Sequence, residues 1–439
     1  MRAQKPQKGN RMRFARQTAR GSVAVWTQNR TATEPSLTTL PLDEEIFIRA
    51  PAGFTGPEAG AVLRLNKALY GLKQSGRCWN QTVVQALLEL GFEATPIDPC
   101  LFTQRSSTGK LIYVGLYVDD MPYAFHRDDT AQWLQLQAKM KQRFSIKDLG
   151  QVEQILGMRV TRDRSARTLK IDQEHYVRLN DILAEYGYSN CRAERTPMPS
   201  QRLSGREAAA AKATTSSHGQ VTLENYRSAI GGLQYAANST RPDISFAVGM
   251  LAPTADSCKQ LIRVLRYLAG TPALGLTYRA RGLPALTLTA FSDADWANEY
   301  AKPASTTGSL LKLAGAAVVW RSQKQTTIAQ SSTEAEYVAA SETAREIYPL
   351  RVQLAHLDHA QPEPTTLAID NTTTILVATE EGNMQRRKHI NVKYHYLRHQ
   401  VAKGFIRLAW VPTAEQEADI FTKALPYDAF IRLRQLVMG

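Results

Sequence analysis

The chain has 439 residues, 43% of them hydrophobic and 21% charged, an ordinary globular balance with enough apolar content to bury real cores. Its 54 Lys and Arg against 40 Asp and Glu leave a formal charge of +14, which favours a polyanionic partner, nucleic acid first. Cys78, Cys100, Cys191 and Cys258 form no CxxC pair, which argues against a zinc knuckle or a disulfide scaffold, and no apolar run is long enough to span a bilayer. With no signal peptide visible, the expectation is an intracellular protein, cytoplasmic or nuclear, without a membrane partner.

Residues 1–41 begin with Arg2, Lys5, Lys8, Arg11, Arg13, Arg16, Arg20 and Arg30 and reach their first acid only at Glu34, without apolar periodicity. They read as a basic, disordered extension, with a nucleic-acid arm or an organelle address as alternatives. Compact sequence starts near Leu42, with a strand at Glu45–Arg49 and glycine- and proline-marked loops after it. Apolar spacing predicts helices over Trp79–Leu90 and Ala131–Phe144. Between them, Leu111–Val118 and Tyr123–Phe125 flank Asp119-Asp120, which is a hairpin pattern. Ser200–Gln220 is rich in Ala, Ser and Thr and reads as a flexible stretch. Leu223–Tyr235 and Ser257–Leu268 read as helices, and a boundary is expected near Gly282-Leu283-Pro284.

From there the pattern is strand (Leu286–Ser292), strand (Ser309–Leu313), strand (Ala317–Arg321), helix (Ser332–His356), strand (Thr366–Ile369), helices, strand (Ile406–Val411) and helix (Glu415–Leu425). Strands first and alternation afterwards predict a mixed α/β sheet. Four acids stand where these elements would deliver them to one place: Asp293 ends the first strand, Glu336 lies in the long helix, Asp370 ends its strand, and Asp419 lies in the last helix. Phosphodiester hydrolysis needs charge stabilisation on the attacking and leaving oxygens. Two Mg²⁺ ions ~3.5–4 Å apart supply it, and hard cations take oxygen ligands. Taken singly each acid has a plainer explanation, a turn or a cap for the aspartates and a Thr333–Glu336 capping box for the glutamate.

The stretches FSDADWAN (291–298), VVWRSQKQ (318–325), SSTEAEYVA (331–339), AIDN (368–371), RRKHINVKYHYLR (386–398) and EQEADIFTK (415–423) together resemble the ribonuclease H domain of copia-type long-terminal-repeat retrotransposon polyproteins. The resemblance implies metal binding by Asp293, Glu336, Asp370 and Asp419. Asp295 and Glu334 are neighbours easily mistaken for ligands, and Glu336 is preferred because Glu-Tyr-Val-Ala-Ala matches the run after the family's acid. Arg386, Arg387, Lys388, His389, Lys393 and Arg398 bring positive charge before and along a helix and suit phosphate contacts, with a solvated helix face as the alternative.

Upstream, Tyr117-Val118-Asp119-Asp120 resembles the catalytic hairpin of reverse transcriptases, in which paired acids hold catalytic metals, so that Asp119 would be a metal ligand and Asp120 its catalytic neighbour. DEEIFIRAPAGF (43–54), LNKALYGLKQSGRCWN (65–80), IDPCLFT (97–103) and FSIKDLGQVEQILGMRV (144–160) resemble copia-type reverse transcriptase. YRSAIGGLQYAANSTRPDISFAV (226–248) and RVLRYLAGT (263–271) resemble the region that follows it. The family reading covers about residues 42–439 and places Lys73, Gln74 and Arg77 near the incoming nucleotide or template.

The chain departs from the family in two places. The family carries a further aspartate, in an Asp-x-x-x-Ala-Phe-type segment just before the match to Asp43, and residues 1–41 hold nothing of that kind. Pro122 follows the hairpin acids and cannot donate to a strand ladder, so the returning strand is expected to be perturbed. The chain also looks short of family residues around Leu251–Pro253, and it shows no protease or integrase pattern.

The expectation is therefore an α/β and α+β multidomain protein: an incomplete polymerase palm and thumb, then a ribonuclease H-like mixed five-stranded sheet with helices. Its parts would be an extension (1–41), partial fingers and palm (42–170), a thumb or connection with a flexible stretch at 200–220 (171–285), and the ribonuclease H-like domain (286–439). The expected function is Mg²⁺- or Mn²⁺-dependent cleavage of RNA in an RNA–DNA hybrid, with impaired polymerisation on an RNA template and DNA primer. The alternatives are a non-catalytic nucleic-acid-binding remnant and a phosphodiesterase acting on other hybrids or double-stranded RNA.

Overall fold

The computed structural model describes residues 44–49, 62–66, 72–178, 182–200, 221, 225–251, 257–280, 286–296, 304–379 and 395–439, and the backbone of 22–28, 179–180 and 255–256. The chain divides into two compact units, Met1–Val152 and Glu153–Gly439. The boundaries expected at 170 and 285 do not coincide with this division.

In the first unit, strands β1 (Ser22–Gln28), β2 (Phe47–Arg49), β3 (Val62–Arg64), β4 (Glu93–Ala94), β5 (Leu101–Arg105), β6 (Leu111–Gly115), β7 (Asp120–Phe125) and β8 (Ile146–Gln151) accompany helices α1 (Ser75–Glu89) and α2 (Thr130–Arg143). Six strands form one antiparallel sheet in the order β4-β5-β6-β7-β1-β8, and β2 and β3 form a separate ribbon. Residues of α1 (Trp79, Val83, Leu87), α2 (Trp133, Leu136, Met140) and the sheet (Phe102, Ile112, Val114, Met121) bury one another. The alternation along β7 sends Met121, Tyr123 and Phe125 inward, where Tyr123 stacks on Trp133 at 4.2 Å between ring centroids.

Strand β1 corrects the expectation of disorder for Ser22–Gln28. Seven residues without marked apolar periodicity gave no strand signal beside so many basic neighbours. They pair with β7 on one side and β8 on the other, so they satisfy backbone groups that both strands would otherwise leave open.

The second unit holds β9 (Gln154–Ile155), β10 (Met158–Asp163), β11 (Thr168–Asp172), α3 (Tyr226–Ser239), α4 (Ser245–Gly249), α5 (Ala255–Gly270) and β12 (Gly275–Arg279). Then follow β13 (Thr289–Asp295), β14 (Thr306–Leu313), β15 (Ala316–Lys324), α6 (Ser332–His356), β16 (Thr365–Ile369), α7 (Thr372–Thr379), α8 (His395–Ala402), β17 (Ile406–Trp410) and α9 (Tyr427–Met438). One sheet has the order β12-β11-β10-β9. The other is five-stranded, β15-β14-β13-β16-β17, antiparallel across β13–β15 and parallel from β13 through β16 to β17. Mixed α/β content and a mixed five-stranded sheet thus agree with the expectation.

Helix α6 matches the predicted span at both ends. Ser331 caps it by accepting from Glu334 N, and the Glu334 carboxylate accepts from Gln330 N at 2.8 Å, so the capping pair is Ser331 with Glu334. Glu336 is thereby left for another task. The helix predicted over Glu415–Leu425 is corrected: Glu417–Phe421 is a single 3₁₀ turn, and the last helix begins at Tyr427. Gln416 imposes this, because its side chain accepts from Ala418 N while donating to Ser292 O at 3.0 Å, which holds the backbone in a turn against β13. No helix among the described residues is long and apolar enough to cross a membrane.

Candidate metal centre

Strands β13 and β16 are parallel neighbours with Phe291 opposite Ala368. Two residues further on, at the same ends of the two strands, stand Asp293 and Asp370. Period-two alternation keeps each on the face of the residue two before it. The first turns of α6 cross that face and bring Glu336 down. The result is a group in which one carboxylate oxygen from each of Asp293, Glu336 and Asp370 lies within 4.8 Å of the others, and among the described residues no other acids or histidines gather in this way.

Asp293 and Glu336 are buried and Asp370 half-buried. Asp293 Oδ2 accepts from the buried Thr422 hydroxyl, Asp370 Oδ2 accepts from Thr413 Oγ1 at 2.9 Å, and Glu336 Oε2 is buried with no hydrogen-bond partner. Burial, then the charges of Asp293 and Asp370, hold the Glu336 carboxyl far above the usual carboxylate range. Burial and Asp293 likewise raise Asp370. Three crowded acids with an orphaned buried oxygen fit a hard divalent cation, which takes oxygen ligands and returns the charge that burial has removed from water.

Asp419 comes from the 3₁₀ turn and lies beside this group. Lys423 Nζ is 2.9 Å from Asp419 Oδ1 and 3.9 Å from Asp293 Oδ2. Burial and Asp293 push Asp419 up to about 7 against the opposing pull of Lys423. Asp295, also near, is pushed up to about 6, mainly by burial.

The turn can lie this close because Gly308, opposite Asp293 in β14, has no side chain. A Cβ there would stand 2.7 Å from Ala418 O and Thr422 Cγ2. Gly308, Gln416, Thr422 and Lys423 escaped the sequence reading, although three of them stand in EQEADIFTK. Their roles depend on a strand far away in the chain, so local spacing carries no trace of them.

The hairpin acids occupy the first unit. Tyr117 and Asp120 exchange two 2.9 Å backbone hydrogen bonds, leaving Val118-Asp119 as a two-residue turn. Val118 adopts φ +51°, strained for a β-branched residue, and Trp79 Nε1 fixes its carbonyl at 2.6 Å. Asp119 is buried and Asp120 opens β7. The β6–β7 ladder lapses at the level of Pro122, between the Val114–Tyr123 pair and the Tyr117–Asp120 bridge, while β7 continues unbroken against β1.

Strand β1, of sequence SVAVWTQ, sets Thr27 opposite Asp120 and contains no acid. Among the described residues, Asp119 and Asp120 therefore join no third carboxylate. Lys73 and Arg77 are exposed and Gln74 half-buried at the start of α1, and Arg398 is half-buried on α8. Arg386, Arg387, Lys388, His389 and Lys393 lie outside the described residues, as does the stretch 201–220.

Residues 34–200 match the reverse transcriptase (RNA-dependent DNA polymerase) family. The chain is 33% identical over 402 residues to a retrovirus-related Pol polyprotein from transposon TNT 1-94 of Nicotiana tabacum, covering 90% of this chain and 30% of that one. It is 34% identical over 397 residues to the corresponding polyprotein from transposon RE1 of Arabidopsis thaliana, covering 89% and 26%. It therefore spans less than a third of the length of either polyprotein. A putative transposon Ty5-1 protein of Saccharomyces cerevisiae is 32% identical over 313 residues, 70% of this chain and 96% of that protein. With a reverse transcriptase match at one end and such relatives along most of its length, the chain belongs to the copia-type retrotransposon polyprotein family.

Proposed function

We propose that the chain is a retrotransposon reverse transcriptase–ribonuclease H fragment whose second unit hydrolyses the RNA strand of RNA–DNA hybrids with Mg²⁺ or Mn²⁺, and whose first unit no longer polymerises. The observation that carries the nuclease reading is the convergence of Asp293, Glu336 and Asp370, with Glu336 Oε2 buried and unpartnered. Bound divalent ions would supply an activated water and neutralise charge on the leaving oxygen.

The chain's own residues do the rest. Asp293, central to the group, is fixed by the Thr422 hydroxyl. Thr413 and the Trp410 indole, which donates to Asp370 O at 3.2 Å, hold Asp370. Gln416 ties the Asp419 turn to β13. Such bracing keeps the carboxylates in place without a reorganisation penalty during reaction. Hybrid rather than duplex DNA is the proposed substrate because the family resemblance implies it, and the +14 charge suits either.

What supports the reading of the first unit is the sequence beside Asp120: the strand paired with it, SVAVWTQ, contains no acid that could join Asp119 and Asp120.

The test sets labelled RNA–DNA hybrid, duplex RNA and duplex DNA beside one another with the full chain and Mg²⁺, and adds primer extension on an RNA template. Cutting confined to the RNA of the hybrid, with no primer extended, is expected. Cutting of all three duplexes, or of duplex RNA alone, would replace the proposed substrate, and extended primer would overturn the polymerase half.

A further inference from the structure

The four acids do not share one environment. Asp293, Glu336 and Asp370 face one another, whereas Asp419 is engaged by Lys423, four residues further along the chain and just past the turn. The lysine ammonium reaches Asp293 Oδ2 as well, at 3.9 Å, so a positive charge already stands between the two carboxylates that a second metal ion would bridge. We propose that Lys423 occupies the second cation position of this centre. The resting chain then takes one divalent ion, at Asp293, Glu336 and Asp370, and takes a second at Asp293 and Asp419 only once the lysine has swung out.

Two features support this, and the inference rests on the metal-centre reading above. The first is charge: four clustered carboxylates against one ammonium are nearly balanced by a single dication, and a second dication beside the ammonium would meet like charge on the same oxygens. The second is mobility. The Lys423 side chain is 35% exposed, and a flexible four-carbon stem lets its head move toward water, whereas the acids are carried on strands, a helix and a turn pinned by Gln416. Two occupants of one position compete, so lysine displacement would set the ion concentration at which the second site fills.

The experiment is a calorimetric Mn²⁺ titration of the full chain without nucleic acid, with Asp293→Asn as the blank, so that only ions belonging to this centre are counted. The wild type is expected to take one ion in its tight phase. Lys423→Met and Lys423→Gln should take two, the second at least tenfold tighter than in the wild type. Lys423→Arg, which keeps the cation, should stay with one. Near-ultraviolet circular dichroism qualifies each variant as folded, and the two neutral replacements guard against failure of either.

Equal stoichiometry and affinity in the wild type and both neutral variants would overturn the proposal, as would two equally tight ions in the wild type. If Asp293→Asn removes an ion that all the others hold alike, the lysine proposal falls and the metal centre stands. If no chain takes an ion that Asp293→Asn lacks, both fall.

Discussion

Glu336 stands where an isolated carboxyl would stay protonated. It is buried against Asp293 and Asp370, with one oxygen lacking any partner. Asp370 is raised for the same reasons, Asp419 to about 7 and Asp295 to about 6. A carboxyl whose folded pKa lies above its unfolded value binds more protons when folded, so stability falls as pH rises through that interval. Between the ordinary carboxylate range near ~4 and about 7, the metal-free second unit should therefore lose stability with rising pH. Asp243, which is lowered, acts only at more acid pH and leaves this window clear.

Urea unfolding of the full chain in chelator at pH 5 and pH 8 measures the effect. The midpoint should be lower at pH 8, and Asp293→Asn, which removes the charge common to these shifts, should narrow the gap. Added Mn²⁺ should restore the midpoint at pH 8, because ions bind the deprotonated acids. A midpoint that rises with pH in chelator would contradict the electrostatics described for the centre.

At the scale of elements, what could be read from the sequence depended on whether the signal was local. Helix α6 was legible to both ends because its cap and its apolar pattern lie within the segment itself. The strands carrying Asp293 and Asp370 were legible for the same reason, apart from shifts of a few residues at their ends. The Asp419 turn reads as helix from sequence because Glu, Gln and Ala in EQEADIFTK favour one, whereas the long-range tie from Gln416 to Ser292 holds the backbone in a turn. Strand β1 was unreadable because its partners lie about a hundred residues away.

The turn's approach to β14 gives a direct test. Gly308→Ala places a methyl group against the Ala418 carbonyl and Thr422, the residue that holds Asp293. It should cost ~1–3 kcal/mol in urea unfolding, as overpacking does. It should also lower hybrid cleavage roughly tenfold by shifting Asp419. Unchanged cleavage would mean that Asp419 contributes little to the reaction.

For the molecule as a whole, the five-stranded sheet is not a self-contained body. Leu310, Ala317, Phe421, Phe430, Leu433 and Val437 share one buried cluster with Leu233, Ile244, Leu265, Tyr267 and Leu276. The fully buried Arg241 joins Asp243 and the Thr271 carbonyl, Tyr267 donates to Asp243, and Arg434 of α9 reaches back to Tyr267 at 3.0 Å. Trp320 of β15 donates to Ala237 O at 2.9 Å. Composition and motif spacing suggested a boundary near 285, but they do not register which apolar faces meet.

A fragment of residues 286–439 would expose the part of that cluster it carries and leave Arg434 without Tyr267. It should show weak near-ultraviolet dichroism and little amide protection, whereas residues 153–439 should unfold cooperatively. Equal cooperativity in both fragments would show that the shared core contributes little.

The central claim is that Asp293, Glu336 and Asp370 form a working metal centre, and cleavage of a labelled RNA–DNA hybrid by the full chain tests it most directly. With Mg²⁺ present, the wild type should cut the RNA strand and chelator should stop it. Asp293→Asn and Glu336→Gln should each fall by roughly 10²–10³-fold or more, the loss of several kcal/mol of metal-borne stabilisation. No cleavage by a folded wild-type chain, or equal cleavage by a folded Asp293→Asn chain, would contradict the account and leave a nucleic-acid-binding remnant in its place.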